Sequence, residues 1–410
     1  MKKFGVRRAS RPKSHKRVMA VATFAMIFAA SSGVAQTHSD HLQKIDYAAD
    51  AKALDQLVIE NYAYEDHWPG GVLPESPQLA AERAAVHDHD SLLHYAEDRI
   101  ASLADHHAIT GSSFKDSWAI VPTYADLWIS RRGSDYVIDA VKEGSPAAGA
   151  GVVAGDRLIA IGGVSTQQAV ARFWRRLGLP VTAERDDYAA RVLAAGRRDR
   201  MRDLTVQHVG TQRHLTLPNL YMSQHDMPPL SVSHDRRGWS VIHFNNSLGD
   251  QATIASFDSA MATLQPRSPV VLDLTDTPSG GNTSVARAIM SWFVDRPRSY
   301  QVHQLPSEER ETGIARQWIE QVLPRRGKFH QRLPVVEVGR WTGSMGEGIA
   351  IGFDAFGARV EGTSMAQLKG AVYDFALPSS GLVVKLPAER LYTVQGVPRE
   401  KFVPHQGEQR

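Results

Sequence analysis

The stretch from Gly144 to Gly163 limits the fold of this chain more tightly than any other. It reads Gly144-Ser145-Pro146-Ala147-Ala148, then Gly151-Val152-Val153-Ala154-Gly155-Asp156, then Arg157-Leu158-Ile159-Ala160-Ile161-Gly162-Gly163. Proline suits the first turn of a helix because its missing N–H would have no partner there, so Pro146 opens a short helix. Gly155 and Asp156 form a turn, and the apolar run behind them is a strand returning from it. Around this segment the hydrophobic period changes. Residues 40–105 have apolar residues at helical spacing: Leu54, Leu57, Val58 and Tyr62, then Leu92, Leu93, Ala96, Ile100 and Leu103. Trp68-Pro69-Gly70-Gly71 breaks the pattern. From Trp118 onward short β-rich runs alternate with glycines, and residues 168–203, rich in Ala and Arg, read as a helical insertion. The second half alternates strands (240–244, 270–274, 334–338) with helices (284–294, 345–356), the order of an α/β core with right-handed crossovers.

The N-terminus carries a different message. Lys2, Lys3, Arg7, Arg8, Arg11, Lys13, Lys16 and Arg17 precede an apolar run from Val18 to Ala30 and small residues ending at Gly33-Val34-Ala35. That order fits a secretory signal peptide over residues 1–35; an uncleaved anchor is the competing reading. Export to a periplasmic or secreted location is therefore expected, with no membrane span after the leader is removed. Without those 35 residues, 39 Lys and Arg face 44 Asp and Glu, a formal charge of −5 in place of +3. A nucleic-acid partner then has no electrostatic support. The chain has no cysteine, which rules out disulfides, thiolate metal sites and a cysteine nucleophile.

The 144–163 segment closely resembles PDZ domains, which commonly take an extended peptide by strand addition and hold its terminal carboxylate on backbone N–H groups. The resemblance places that loop near Tyr124, Ala125, Asp126 and Leu127, where the usual glycines are missing and Asp126 would repel a carboxylate. A PDZ that only packs on or gates the core is the alternative.

A second motif, Thr342-Gly343-Ser344-Met345-Gly346-Glu347-Gly348, lies between a strand end and a helix start. A serine there projects from a tight turn with N–H groups facing the reacting centre. Equally, Ser344 and Glu347 have the spacing of a helix capping box. Thr342 excludes the G-x-S-x-G elbow. Leu272-Asp273-Leu274-Thr275-Asp276-Thr277-Pro278-Ser279-Gly280-Gly281-Asn282 resembles a segment of the tail-specific, or C-terminal processing, serine peptidases, although Thr275 replaces the usual arginine. Gly362-Thr363 and Gly396-Val397-Pro398 resemble that family's closing elements. The resemblance spans about residues 90–405. It implies an α/β core of crotonase/ClpP-like ββα units with an N-terminal helical region and a PDZ-like β domain. The expected divisions are a leader at 1–35, a helical region at 40–115, the PDZ-like domain at 118–217 and the peptidase core at 218–405.

The resemblance also implies site residues. Ser344 would be the nucleophile, and the N–H groups of Gly280 and Met345 the oxyanion hole. Two bases remain open. Lys369 lies 25 residues after Ser344, the separation used by bacterial processing members, though its alignment is displaced by about two residues. The tricorn-core and retinoid-binding-protein-like branch instead uses a histidine from a D-x-H segment and a glutamate near the C-terminus. Asp105-His106-His107 supplies His107 as that base, and Glu400 would orient it. His87, His89 and His94 cluster near acids but match no metalloenzyme spacing, so a solvated helix start is expected rather than a metal site, and no cofactor is implied. The expected function is an exported serine endopeptidase acting on peptides or unfolded proteins; a catalytically silent relative that binds peptide or an apolar ligand is the rival. The oligomeric state is open.

Overall fold

The computed structural model describes residues 45–223 and 226–405; the leader expected at 1–35 lies outside them. Three helices come first, α1 (Tyr47–Asn61), α2 (Pro77–Ala85) and α3 (His89–Ala101). Asp46, Ser76 and Asp88 cap them, each side chain accepting an otherwise orphaned backbone N–H. His87 and His89 sit at the exposed start of α3, and His94 stacks on Phe114. Among the described residues no group of three or more His, Asp or Glu is arranged to hold a metal ion. The helical stripe Leu54, Val58, Tyr62, Leu92, Leu93, Ala96, Ile100 and Leu103 is buried in one cluster, and β1 (Ile109–Thr110) leads out of it.

The next sheet is antiparallel. Its elements are β2 (Leu127–Arg132), β3 (Asp135–Val141), α4 (Pro146–Gly149), β4 (Arg157–Ile161), β5 (Val164–Ser165), α5 (Thr166–Arg176), α6 (Ala183–Ala195), β6 (Arg202–His208) and β7 (Thr211–Leu217). The strand order is β2-β3-β4-β6-β7, with β5 on β4, so β2 is an edge. An edge strand leaves backbone groups unpaired, and α6 covers these: Arg131 N–H donates to Asp187 Oδ1 at 2.8 Å and Arg191 Nε donates to Ile129 O at 2.9 Å. The helical stretch read at 168–203 forms α5 and α6, and α6 lies along the β2 edge.

The α/β core follows, with β8 (Leu230–His234), β9 (Ser240–Phe244), α7 (Ala252–Ala262), β10 (Val270–Asp273), α8 (Thr283–Met290), β11 (Arg298–Gln304), α9 (Pro306–Thr312), β12 (Gln317–Val322), β13 (Val335–Val338), α10 (Met345–Phe356), β14 (Arg359–Gly362), β15 (Ala371–Ala376) and β16 (Val383–Tyr392). One sheet runs β14-β13-β10-β9-β8, parallel from β14 to β9. Its central strand β10 is buried on both faces and reads as an unbroken apolar run, whereas the edge strand β8 is largely exposed. A second sheet runs β1-β16-β11-β12, with β15 on β16.

The PDZ-like sheet is not an independent body. Its apolar cluster includes Trp341, Ala366 and Leu368 from the core, and Trp341 Nε1 donates to Ala125 O at 2.7 Å. The segment expected to meet a peptide carboxylate is therefore corrected. Ala125, Asp126 and Leu127 are buried, and Tyr124 packs edge-on against Tyr221. Asp126 repels nothing: it accepts from Arg202 Nη2 at 2.6 Å and from Ala147 N at 3.1 Å, tying β6 and α4 together. Removing one partner of a buried pair strands the other charge, so Asp126→Ala should cost about 3–5 kcal/mol in denaturant unfolding. Asp126→Ala with Arg202→Met should recover part of that loss.

Candidate active site

The turn after β13 forces the backbone of Ser344 to φ +51° and ψ −112°, a region that residues with a side chain rarely adopt. Its neighbours hold it there. Gly343 N–H donates to Thr277 O at 3.2 Å, and Thr342 Oγ1 donates to Leu274 O at 2.8 Å. Glu347, fully buried, accepts the N–H groups of Ser344, Gln367 and Leu368 at 2.9, 2.9 and 3.2 Å. Burial pushes its carboxyl up to about 7, opposed by the nearby Arg399 guanidinium and those three donors. The capping box is present, so Ser344 is a helix cap as the spacing suggested. It is also more than a cap.

Ser344 Oγ lies 3.0 Å from His107 Nε2. On the far side of the ring, His107 Nδ1 lies 2.6 Å from the main-chain carbonyl of Lys369. A carbonyl only accepts, so Nδ1 carries the proton and Nε2 presents its lone pair to the serine hydroxyl. Asp105 shapes the approach, accepting His107 N–H at 2.8 Å and the Tyr62 hydroxyl at 2.7 Å. Burial, helped by the Arg399 charge, pulls the His107 pKa down to about 4, and the bonds to Lys369 O and the Asp105 charge only partly offset this. The imidazole is neutral throughout the neutral pH range.

Of the two bases open in the sequence, the structure brings His107 to Ser344 and takes the Lys369 ammonium elsewhere. Lys369 Nζ donates to Glu184 Oε1 at 2.8 Å. Burial works against its charge, yet Asp105, Glu184 and Glu400 outweigh it and hold the ammonium pKa above the usual lysine range. Lys369 reaches the site through its carbonyl, which no side-chain motif marks. Glu400 is likewise corrected: it makes no bond to His107, and its buried Oε2 has no hydrogen-bond partner. Its neighbour Arg399 does the bracing, donating from Nη2 to Leu368 O at 3.0 Å and Gly370 O at 2.7 Å, on either side of Lys369.

Gly280 (φ +63°) packs directly on the serine, where a Cβ would meet Ser344 Cβ at 2.4 Å and Met345 N at 3.0 Å. Of the two expected oxyanion donors, Met345 N–H is the first of α10 and has no partner within the helix. Gly280 N–H donates to Thr277 O at 3.1 Å, so in this state it is committed to the turn.

Ser344, His107 and Met345 open on a cleft of about 690 Å³ between α10, α8 and the β11–β16 sheet. Its floor is polar. His303 is held between Glu389 Oε2 at 2.7 Å and Glu320 Oε2 at 3.1 Å, under the stacked ring of Trp318. Burial disfavours the imidazolium, but the bonds to Glu320 and Glu389 prevail and raise its pKa to about 8. Although burial opposes its charge, Glu320 is lowered to about 2 by His303, Tyr300 and Arg287. A smaller cavity of about 320 Å³ lies behind His106 and does not reach Ser344.

The family model "PDZ domain" matches residues 137–171. No curated protein matches the chain. Among solved structures, the photosystem II D1 C-terminal processing protease is 16% identical with a TM-score of 0.55, over 88% of this chain and 93% of that one. Mature CPAF, solved in complex with lactacystin, is 14% identical with a TM-score of 0.53, over 88% and 93%. The chain shares the PDZ-bearing fold of the tail-specific peptidases. The end of α5 and all of α6 lie outside the matched PDZ segment, and it is α6 that faces Lys369 and His106.

The cleft floor makes a pH prediction. The His303 pKa is raised on folding, so its stabilisation is complete below about pH 6.5 and is lost as pH rises through about 8. Unfolding free energy should fall on the order of 1–2 kcal/mol between pH 6.5 and 9. Denaturant titrations should show that slope flattened in His303→Gln.

Proposed function

We propose that this chain is an exported serine endopeptidase of the tail-specific type, cleaving peptides or unfolded proteins. The observation that carries the reading is the 3.0 Å contact between His107 Nε2 and Ser344 Oγ, with Nδ1 fixed by a carbonyl. In this mechanism His107 takes the hydroxyl proton as Ser344 Oγ attacks the scissile carbonyl. Met345 N–H, at the positive end of α10, stabilises the oxyanion, joined by Gly280 N–H if the turn relaxes from Thr277. His107 then returns its proton to the leaving amine, and water releases the acyl group by the reverse sequence. The Lys369 ammonium, charged and paired with Glu184, takes no part in proton transfer. Export rests on the leader-like order of residues 1–35.

A second reading, a silent relative that binds peptide in the cleft, is favoured by one observation: the Gly280 N–H is spent on Thr277 O. Proteolysis of an unfolded protein by purified variants separates the two. The peptidase reading predicts that Ser344→Ala and His107→Ala each lose about six orders of magnitude in kcat. Lys369→Met, which keeps the carbonyl, should retain measurable turnover. The kcat/KM profile should keep its plateau down to about pH 5 and fall toward pH 4, following His107. Substrate that binds saturably but is cut equally by wild type and Ser344→Ala would establish the silent reading instead.

A further inference from the structure

The ammonium of Lys369 has a partner whose position is informative. Glu184 lies in the first turn of α6, where a carboxylate is favoured by the helix dipole. It accepts from Lys369 Nζ at 2.8 Å, and His67 Nδ1 is 3.6 Å away. Burial opposes the Glu184 charge, yet His67 and Lys369 lower its pKa to about 2. The Lys369 side chain is 12% exposed and also lies over the Tyr64 ring, so the contact is sheltered on the lysine side.

One helical turn on, Tyr188 projects from the same face of α6. Its ring stacks on His106, with centroids 4.5 Å apart and planes 18° apart. The two contacts reach the residues on each side of the base: Tyr188 holds the residue before His107 in sequence, and Glu184 holds the residue whose carbonyl fixes His107 Nδ1. The adjoining flank of the same α6 face is anchored to the β2 edge through Asp187 and Arg191. The loop that carries Lys369 is held by Glu347 and Arg399 through the backbone of Gln367, Leu368 and Gly370, and Glu184 adds the hold on Lys369 itself. Gln367 and Gly370 flank it at φ +60° and +57°, and it forms no regular secondary structure.

We infer that Glu184 is a positioning residue for the reaction: by pinning Lys369, α6 of the PDZ-like domain keeps the Lys369 carbonyl on His107 Nδ1 and so holds the base in its productive tautomer. The inference rests on the assignment of His107 as base, but its test does not. A carbonyl that drifts by an ångström no longer selects the tautomer, while the cleft that binds substrate is unchanged.

The experiment uses the full chain with 15N-labelled histidine, together with peptide kinetics. Wild type should show His107 as a single Nδ1–H tautomer at neutral pH. Glu184→Ala and Lys369→Met should each give a mixture of tautomers and lower kcat by about 10- to 100-fold with KM little changed. The double variant should be no worse than either single one, because both remove the same contact. The exchange Glu184→Lys with Lys369→Glu should restore a large part of kcat and the single tautomer. Glu184 is half-exposed, and melting temperatures within a few degrees of wild type would show that the fold survives. A wild-type tautomer and kcat in Glu184→Ala would overturn the inference, as would a loss confined to KM. If wild type proves inactive, the tautomer measurement still decides: the inference stands if it shifts in Glu184→Ala and fails if it does not.

Discussion

The bond from His107 Nδ1 to the Lys369 carbonyl is the constraint on which the rest of the site depends. An imidazole next to a serine is ambiguous, because either nitrogen can carry the proton. A main-chain carbonyl removes the ambiguity without adding charge. A carboxylate in that position would raise the histidine pKa and stabilise the imidazolium formed during the reaction. Here the base is buried and kept neutral, with the Arg399 guanidinium also disfavouring its protonation. On the proposed mechanism this arrangement gives up some stabilisation of the charged intermediate in return for a base that is ready across a wide pH range.

Holding a carbonyl in place requires holding a loop, and two buried charged side chains do so. Arg399 fixes the carbonyls of Leu368 and Gly370, and Glu347 takes the N–H groups of Gln367 and Leu368. The same Glu347 carboxylate takes the N–H of the strained Ser344. Ser344 and the loop that meets His107 are thus braced by one buried acid, itself 3.9 Å from Arg399. A backbone strained at φ +51° persists only where its surroundings over-determine it, and this brace supplies that. The PDZ-like domain adds the outer support. Trp341 and Leu368 complete its apolar cluster, and Lys142 pairs with Asp276 in the turn that carries Gly280.

Much of this was legible in the sequence, for reasons that differ by element. The strands at 157–161, 240–244 and 270–273 and the helix Met345–Phe356 stand where apolar runs and glycine boundaries put them. Those signals are local, so the sequence carries them directly. Ser344, Gly280 and the D-x-H histidine were also visible, because side-chain chemistry and motif spacing mark them. Lys369 was found for the wrong group. Its separation from Ser344 pointed to the ammonium, whereas the site uses the carbonyl, and no residue type marks a carbonyl. Glu400 drew attention that belonged to Arg399 beside it. Asp126 looked like a surface acid in a binding loop, yet pairs with Arg202 far along the chain. Glu184 and Tyr188 carry no signal: their partners lie far away along the chain, and an i, i+4 pair on a helix usually means only a shared face.

The central claim is that His107 activates Ser344. It is tested most directly by mass spectrometry of the full chain after exposure to a fluorophosphonate, which phosphonylates activated serines with loss of fluoride. The account predicts a single adduct on Ser344 in wild type and almost none in His107→Ala under the same conditions. An unlabelled wild type, or equal labelling in the two, would contradict it.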